Sequence, residues 1–410
     1  MPQRRAVITG IGVVTPIGVG SDAFWHAAVR GVNGVRPVQS FDTGQFRTKV
    51  GAEVLDFDPG SFLSQSETAR MGRSSQFAVA AASMALEEAR LEPNSLNPYR
   101  IGVVMGTTMG EPQILEEGIR GIYRHPGPEG VPVTLPRQYP CNVISTNVAR
   151  RLAARGPLAM IPTACAAGNY AIGYASDLVK LNRADVVIAG GSDPFSRIAF
   201  TGFNRLLATS AEACRPFDKN RDGMAVGEGA GILVVEELEH ARSRGASVLA
   251  EVAGYGLGCD AFKMTIPDPA GGGGIEALRR AISTSGIEPG SIDYVCAHGT
   301  GTRENDKSET VILKNVLGEA AYATPVSSLK SMIGHTMGAA SAIEAAACVL
   351  MMRKGTILPT INYSDPDPEC DLDYVPNRAR EKELNIVVSN AYAFGGNTSS
   401  LILRRMRGEA

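Results

Sequence analysis

Eight short runs of apolar, largely β-branched residues constrain this chain most, because none of them alternates with polar residues. They are "RRAVITG" (4–10), "RIGVVMG" (100–106), "ADVVIAGG" (184–191), "GILVVEE" (231–237), "IDYVCAHG" (292–299), "TPVSSL" (324–329), "LNIVVSNAYAF" (384–394) and "SSLILRR" (399–405). A strand with one face in water alternates, so unbroken runs predict strands covered on both faces. Ala-rich stretches at 74–91, 273–286 and 338–355 carry helical patterns between them. Strand and helix patterns therefore alternate along the chain, which predicts an α/β class. The two halves share this layout and meet near "LEHARSRGA" (238–246). Two related units, 1–245 and 246–410, are expected, although no strict repeat is legible.

Composition narrows the function. The chain is 44% hydrophobic and 20% charged, a balance that excludes disorder and fibres. A net charge of −2 without Lys/Arg clusters leaves no footprint for nucleic acid. Gly10, Gly12, Pro16 and Gly18 break the first apolar run, which reads as a strand and turn rather than a signal peptide. No apolar run approaches the length of about 18 residues that spans a membrane. Seven widely spaced cysteines without C-x-x-C fit neither a disulfide framework nor a zinc site, so no metal is expected and a reducing cytoplasm is. "TGIGVV" (9–14) contains G-x-G, but Thr15 and Pro16 spoil the dinucleotide fingerprint.

Four segments could carry chemistry. In "PTACAAGNYAIGYA" (162–175), Cys165 precedes a helix expected from Ala166 to about Leu181. Free N–H groups and the helix dipole would stabilise its thiolate there. The other reading is small apolar filler between packed helices. In "AHGTGT" (297–302), His298 follows a buried strand, where α/β proteins place ligands, and Thr300 and Thr302 could hold a polar, amide-bearing arm. A turn histidine bonded to its own loop is the alternative. "SSLKSMIGHTMGAAS" (327–341) holds Lys330 and His335, and the apolar helix after it carries Glu344, for which Lys330 is the obvious partner. In "NAYAFGGNTSS" (390–400), Gly395 and Gly396 let a backbone N–H approach an oxygen, as an oxyanion hole with the Cys165 N–H requires. One thiol and one histidine suit a thiol hydrolase. A second histidine and a lysine fit an enolate formed by loss of carbon dioxide.

At these segments, and at "NRADVVIAGGSD" (182–193), "CRPFDKNRDGMAVGEGAG" (214–231), "CDAFKMT" (259–265) and "PTINYSDPDPECDLDYVP" (359–376), the chain resembles the β-ketoacyl-acyl carrier protein synthases of the thiolase superfamily, most of all the elongating, synthase II-like branch. The resemblance runs over nearly the whole chain. It implies a thiolase-like five-layered αβαβα sandwich from two duplicated halves. It makes Cys165 the acylated nucleophile and His298 and His335 the pair that binds a malonyl thioester and assists its decarboxylation. Lys330, paired with Glu344, supports them electrostatically. Phe394 gates the acyl pocket and lends its N–H to the oxyanion. Thr265, Thr300 and Thr302 match positions that contact phosphopantetheine, Asp306 and Glu309 brace their loop, and Met109 and Phe203 border the acyl pocket. The implied partner is acyl carrier protein, which supplies the phosphopantetheine, with no bound cofactor. A homodimer is expected, or a heterodimer with a related subunit. A chain-length-factor-like subunit without catalysis is the rival that Cys165, His298, His335 and Lys330 oppose. Arg70, Arg73 and Arg205 are candidates for a basic dock. The common F-G-F-G-G-T-N stands here as Tyr392-Ala393-Phe394-Gly395-Gly396-Asn397-Thr398, and Lys263 stands where histidine is common. These departures fit a polyketide or polyene pathway as well as fatty-acid synthesis.

Overall fold

The computed structural model describes residues 4–406. The first half contributes β1 (Ala6–Thr15), β2 (Ile101–Gly106), β3 (Leu158–Ile161), β4 (Val186–Asp193) and β5 (Gly229–Glu237). They run in the order β1-β5-β4-β2-β3, with β5 antiparallel to both β1 and β4, and β4, β2 and β3 parallel. The second half supplies β6 (Ala250–Cys259), β7 (Tyr294–Cys296), β8 (Val326–Ser327), β9 (Ile386–Tyr392) and β10 (Asn397–Arg404). Their order, β6-β10-β9-β7-β8, repeats the same strand directions. The halves join where β1 and β6 pair antiparallel at Val7↔Glu251 and Ile8↔Ala250.

Helices complete five layers. α1 (Arg73–Ala89) covers the outer face of the first half, and α3 (Gly272–Ser285) with α4 (Arg303–Leu317) covers that of the second. Between the two sheet halves lie α2 (Ala167–Lys180) and α5 (Ala340–Lys354). In α5 every residue from Ala340 to Met352 is buried. A helix apolar all round belongs inside, which is why its single carboxylate, Glu344, needs a partner. This is the thiolase-like sandwich that the resemblance implied.

β1 and β6 explain the glycines. A Cβ at Gly12 would lie 2.0 Å from the carbonyl oxygen of Ala81 on α1, and one at Gly256 would lie 2.0 Å from that of Ala277 on α3. Bare backbone on alternate residues lets each outer helix seat directly on its strand. The "TGIGVV" glycines thus lie inside β1, not in a phosphate-binding turn. β6 was not foreseen, because "AGYGLG" (253–258) lacks the apolar run that marked the other strands. The short edge strand β3 was missed too. No helix among the described residues is long and apolar enough to cross a membrane.

Adding a methyl group at Gly256 forces α3 off its strand. Gly256→Ala should destabilise the protein by about 1–3 kcal/mol, the usual effect of overpacking, read as a lower urea midpoint, whereas alanine at Gly290, which has nothing within 4 Å, should leave it unmoved.

Candidate active site

β3 ends at Ile161, and a 3-10 turn over Ala164–Ala166 carries Cys165 into the start of α2. Ala164 holds φ at 49°, a left-handed conformation unfavourable for a residue with a Cβ. That turn presents the buried thiol to the loops from the second half. His298 follows β7, and His335 lies between a short helix, Lys330–Ile333, and α5. The Cys165 sulfur and one ring nitrogen of each histidine lie within 4.8 Å of one another. The imidazole centroids are 5.4 Å apart, nearly perpendicular at 83°.

Each histidine is held from behind. Both carboxylate oxygens of Glu309, on α4, accept backbone N–H groups, from His298 and Gly299, at 2.8 Å. Asp306, one turn earlier, accepts the N–H of Gly301 at 3.2 Å and of Phe217 at 2.8 Å. The Nδ1 of His335 accepts the Met337 N–H at 3.1 Å, so neutral His335 carries its proton on Nε2. Lys330 Nζ meets Glu344 Oε1 at 2.5 Å, both fully buried, and Glu344 Oε2 has no partner.

Burial sets the protonation states. It is the largest influence on both histidines and holds them well below the usual 6.5, helped by the Lys330 ammonium, so they are neutral at pH 7. It pushes Glu344 to about 7 against the pull of Lys330, and Glu309 to about 8 against the Gly299 and His298 N–H groups. The thiol corrects an expectation. Burial drives Cys165 up to about 12, outweighing the attraction of Lys330 and the backbone N–H groups of Phe394 and Cys165 that point at the sulfur. The helix end therefore does not make a standing thiolate. Its N–H and that of Phe394 are two donors directed at the sulfur. One thiol and two imidazoles are also a plausible donor set for zinc, but the neighbouring ammonium that depresses both histidines opposes a cation equally.

A cavity of about 390 Å³ opens onto the thiol, and Cys165, His298, His335, Thr265, Thr300, Thr302, Phe203 and Phe394 line it. The Thr300 and Thr302 hydroxyls are 2.9 Å apart, and Thr265 is exposed at the mouth. Phe203 and Phe394 stand side by side, their ring centroids 5.5 Å apart. Met109 is not among the lining residues. Its N–H binds Asp193 at 3.1 Å instead. Arg73 is no free dock, because its guanidinium is paired with Glu228 at 2.7 Å. Arg70 and Arg205 are exposed.

The sequence reading assigned no task to Asp193 and Tyr392. Asp193, at the end of β4, accepts the N–H groups of Thr108 (2.6 Å), Met109 (3.1 Å) and Gly338 (2.7 Å), and the Thr107 hydroxyl (2.7 Å). It ties the first half to the turn that carries His335. An acidic residue closing an apolar strand was its only signal. Tyr392 lines the cavity, and its signal was the departure from phenylalanine in the family pattern.

A duplicated α/β sandwich with a buried thiol and two neutral histidines at its centre defines a thiolase-like acyltransferase. The family models "Beta-ketoacyl synthase, N-terminal domain" and "Beta-ketoacyl synthase, C-terminal domain" match residues 3–241 and 249–364, so the chain belongs to the β-ketoacyl synthase family. It is 41% identical to the 3-oxoacyl-[acyl-carrier-protein] synthase 2 of Synechocystis sp., over 99% of both chains. It is also 41% identical to the tetracenomycin polyketide synthase ketoacyl synthase alpha subunit of Streptomyces glaucescens, over 98% of this chain and 97% of that one. Among solved structures, the ishigamide ketosynthase/chain length factor matches with a TM-score of 0.95 at 41% identity, covering 98% of this chain and all of that one.

Lys330→Met leaves Glu344 buried and unpaired and should cost about 3–5 kcal/mol of stability at pH 8. Glu344 is held above its ordinary 4.5 when folded, so only the unfolded chain ionises first as pH rises. The variant should therefore lose stability from pH 4.5 through about 7 and beyond, and recover at pH 5. Chemical denaturation at pH 5 and 8 reads the difference, and Lys330→Met/Glu344→Leu should remove the pH dependence.

Proposed function

We propose that this chain is a 3-oxoacyl-[acyl-carrier-protein] synthase that condenses a Cys165-bound acyl chain with malonyl on acyl carrier protein. One thiol and two neutral imidazoles within 4.8 Å, at the floor of one cavity, carry the reading. The Cys165 sulfur attacks an acyl thioester, the carbon–sulfur bond to the carrier breaks, and the carrier thiol takes the proton. The malonyl thioester then enters past Thr265, Thr300 and Thr302, and its carbonyl meets the histidines. The bond between its carboxylate and the α-carbon breaks, carbon dioxide leaves, and the electron pair forms an enolate. His335 Nε2–H and His298 stabilise the enolate oxygen. The enolate carbon attacks the acyl carbonyl, whose oxyanion falls to the Cys165 and Phe394 N–H groups, and collapse expels the sulfur. Lys330 biases the site toward negative charge throughout, while Glu309 and Asp306 hold the His298 loop.

Phosphopantetheine arrives on the carrier, and no resident cofactor is required. The reading places the protein in the cytoplasm, in fatty-acid or type II polyketide or polyene elongation. The boundary near residue 245 divides the two repeats, between the spans of the two matching family models. A homodimer is the first reading of its assembly. A heterodimer with a chain-length-factor-like subunit is the second, favoured by the likeness to the ishigamide pair. Native mass of the pure protein separates them.

Intact mass after mixing with a panel of acyl carriers should show an acyl adduct on the parent and none on Cys165→Ala. That variant should still release carbon dioxide from malonyl carrier, because the histidines do that step; no adduct on any chain would overturn the reading. Since both histidines stay neutral below 6.5, carbon dioxide release should hold as pH drops from 7.5 to 6.

A further inference from the structure

Four large apolar side chains stand in solvent at the mouth of the cavity. Leu206 is 52% exposed, Leu207 67%, Met264 73% and Ile266 40%, and all four line the cavity with Phe203 and Phe394. Apolar side chains scattered singly over a surface need no explanation, but four gathered around one entrance mark a contact face. Met264 and Ile266 belong to a segment anchored where the Gly395 N–H donates to the Met264 carbonyl at 2.8 Å.

Leu207 is exposed at a conformational cost. The helix Arg197–Arg205 closes with the Ala208 N–H on the Phe203 carbonyl and the Leu207 N–H on the Asn204 carbonyl, both at 3.1 Å. This closure places Leu207 at φ 55°, the left-handed position where glycine usually ends a helix. A leucine there is strained, and at its exposure the core gains little in return. Its side chain serves neither the helix stop nor the core, which leaves the rim itself as its place of use.

What covers this rim follows from the cavity. In the condensing reading, on which this inference rests, the malonyl thioester reaches Cys165 on an arm that passes Thr265, Thr300 and Thr302. The protein carrying that arm must sit over the mouth, and a second copy of this chain seated there would bar the arm. Charge does not supply the attraction, because the cationic Lys263 and Arg303 are set against the acidic Asp222, Asp260 and Glu304 in the same lining. We propose that Leu206, Leu207, Met264 and Ile266 form the docking face for acyl carrier protein, and that they hold an apolar patch of the carrier by burial rather than by ion pairs.

Leu207→Gly tests this without threatening the fold, since glycine relieves the left-handed turn. Its urea midpoint should not fall. Carbon dioxide release is measured with malonyl on acyl carrier protein and with malonyl pantetheine, the same arm without the protein. The carrier KM should rise about tenfold, the scale of one leucine left in water, while kcat and the malonyl pantetheine KM stay within about twofold. For the parent, the carrier KM should hold within about twofold between about 0.05 and about 0.5 M salt, because apolar burial is not screened. An unchanged carrier KM in Leu207→Gly overturns the proposal. A lower urea midpoint makes Leu207 a packing residue, and equal rises for both substrates put it on the arm; either result overturns the proposal too. A parent KM that climbs steeply with salt assigns docking to ion pairs and does the same. A parent that releases no carbon dioxide from either substrate refutes the condensing reading instead.

Discussion

The crossing of α2 and α5 governs this structure. A Cβ at Gly168 would sit 2.5 Å from the backbone nitrogen of Ala342, so the two helices touch backbone to backbone. The Ser341 hydroxyl bridges them, accepting the Asn169 N–H at 3.0 Å and donating to the Cys165 carbonyl at 3.3 Å. Cys165 lies just before one helix and His335 just before the other. Their separation is thus set by two rigid helix ends rather than by loops, and precise reacting distances depend on such rigidity. Asp193 secures the same junction from β4 through the Gly338 N–H, so strand, thiol turn and histidine turn form one unit.

That rigidity carries an electrostatic penalty. Cys165, His298, His335, Glu309 and Glu344 are drawn out of water, and desolvation is the first influence on all five. The neutral form of each is favoured. For the histidines this fixes one state, since an imidazole held well below its ordinary range stays neutral across physiological pH. For the thiol it is a handicap, and the structure answers with placement: two N–H donors at the sulfur and one buried ammonium nearby. Reactivity then comes from a preorganised field around developing charge rather than from a standing thiolate.

The same features decide what the sequence could show. Unbroken apolar runs betrayed eight of the ten main strands, because burial on both faces leaves no polar alternation. β6 escaped, since the helix packed on it requires glycines in place of β-branched residues, and β3 escaped as a four-residue edge strand. The small residues around Cys165 posed two alternatives, a tightly packed helix or room for a substrate. Gly168 against Ala342 shows the packing, while the cavity at the thiol shows the room. The Lys330–Glu344 pair was legible because a lone carboxylate in an apolar helix must have a partner. The burial of Cys165 was not, since local sequence shows a helix end but not what covers it. Asp193 was hidden for a related reason: its four partners lie far from it in sequence, on Thr107, Thr108, Met109 and Gly338.

Where this chain departs from its family pattern, it does so around the mouth and one wall of the cavity. The Gly395 N–H binds the Met264 carbonyl at 2.8 Å, so the loop bearing Phe394 is tied to the segment bearing Lys263, Met264 and Thr265. Phe203 leans on Phe394 from the other side. A shift of the Phe394 loop must therefore disturb the mouth as well, and a changed residue at either place alters both. The machinery beneath has no such freedom. Lys330, Glu344, His335 and Asp193 are each at most 1% exposed and held by hydrogen bonds. The mouth and the Phe203–Phe394 contact are therefore the parts of the cavity that can vary, while the thiol and its two histidines stay fixed by the helix crossing.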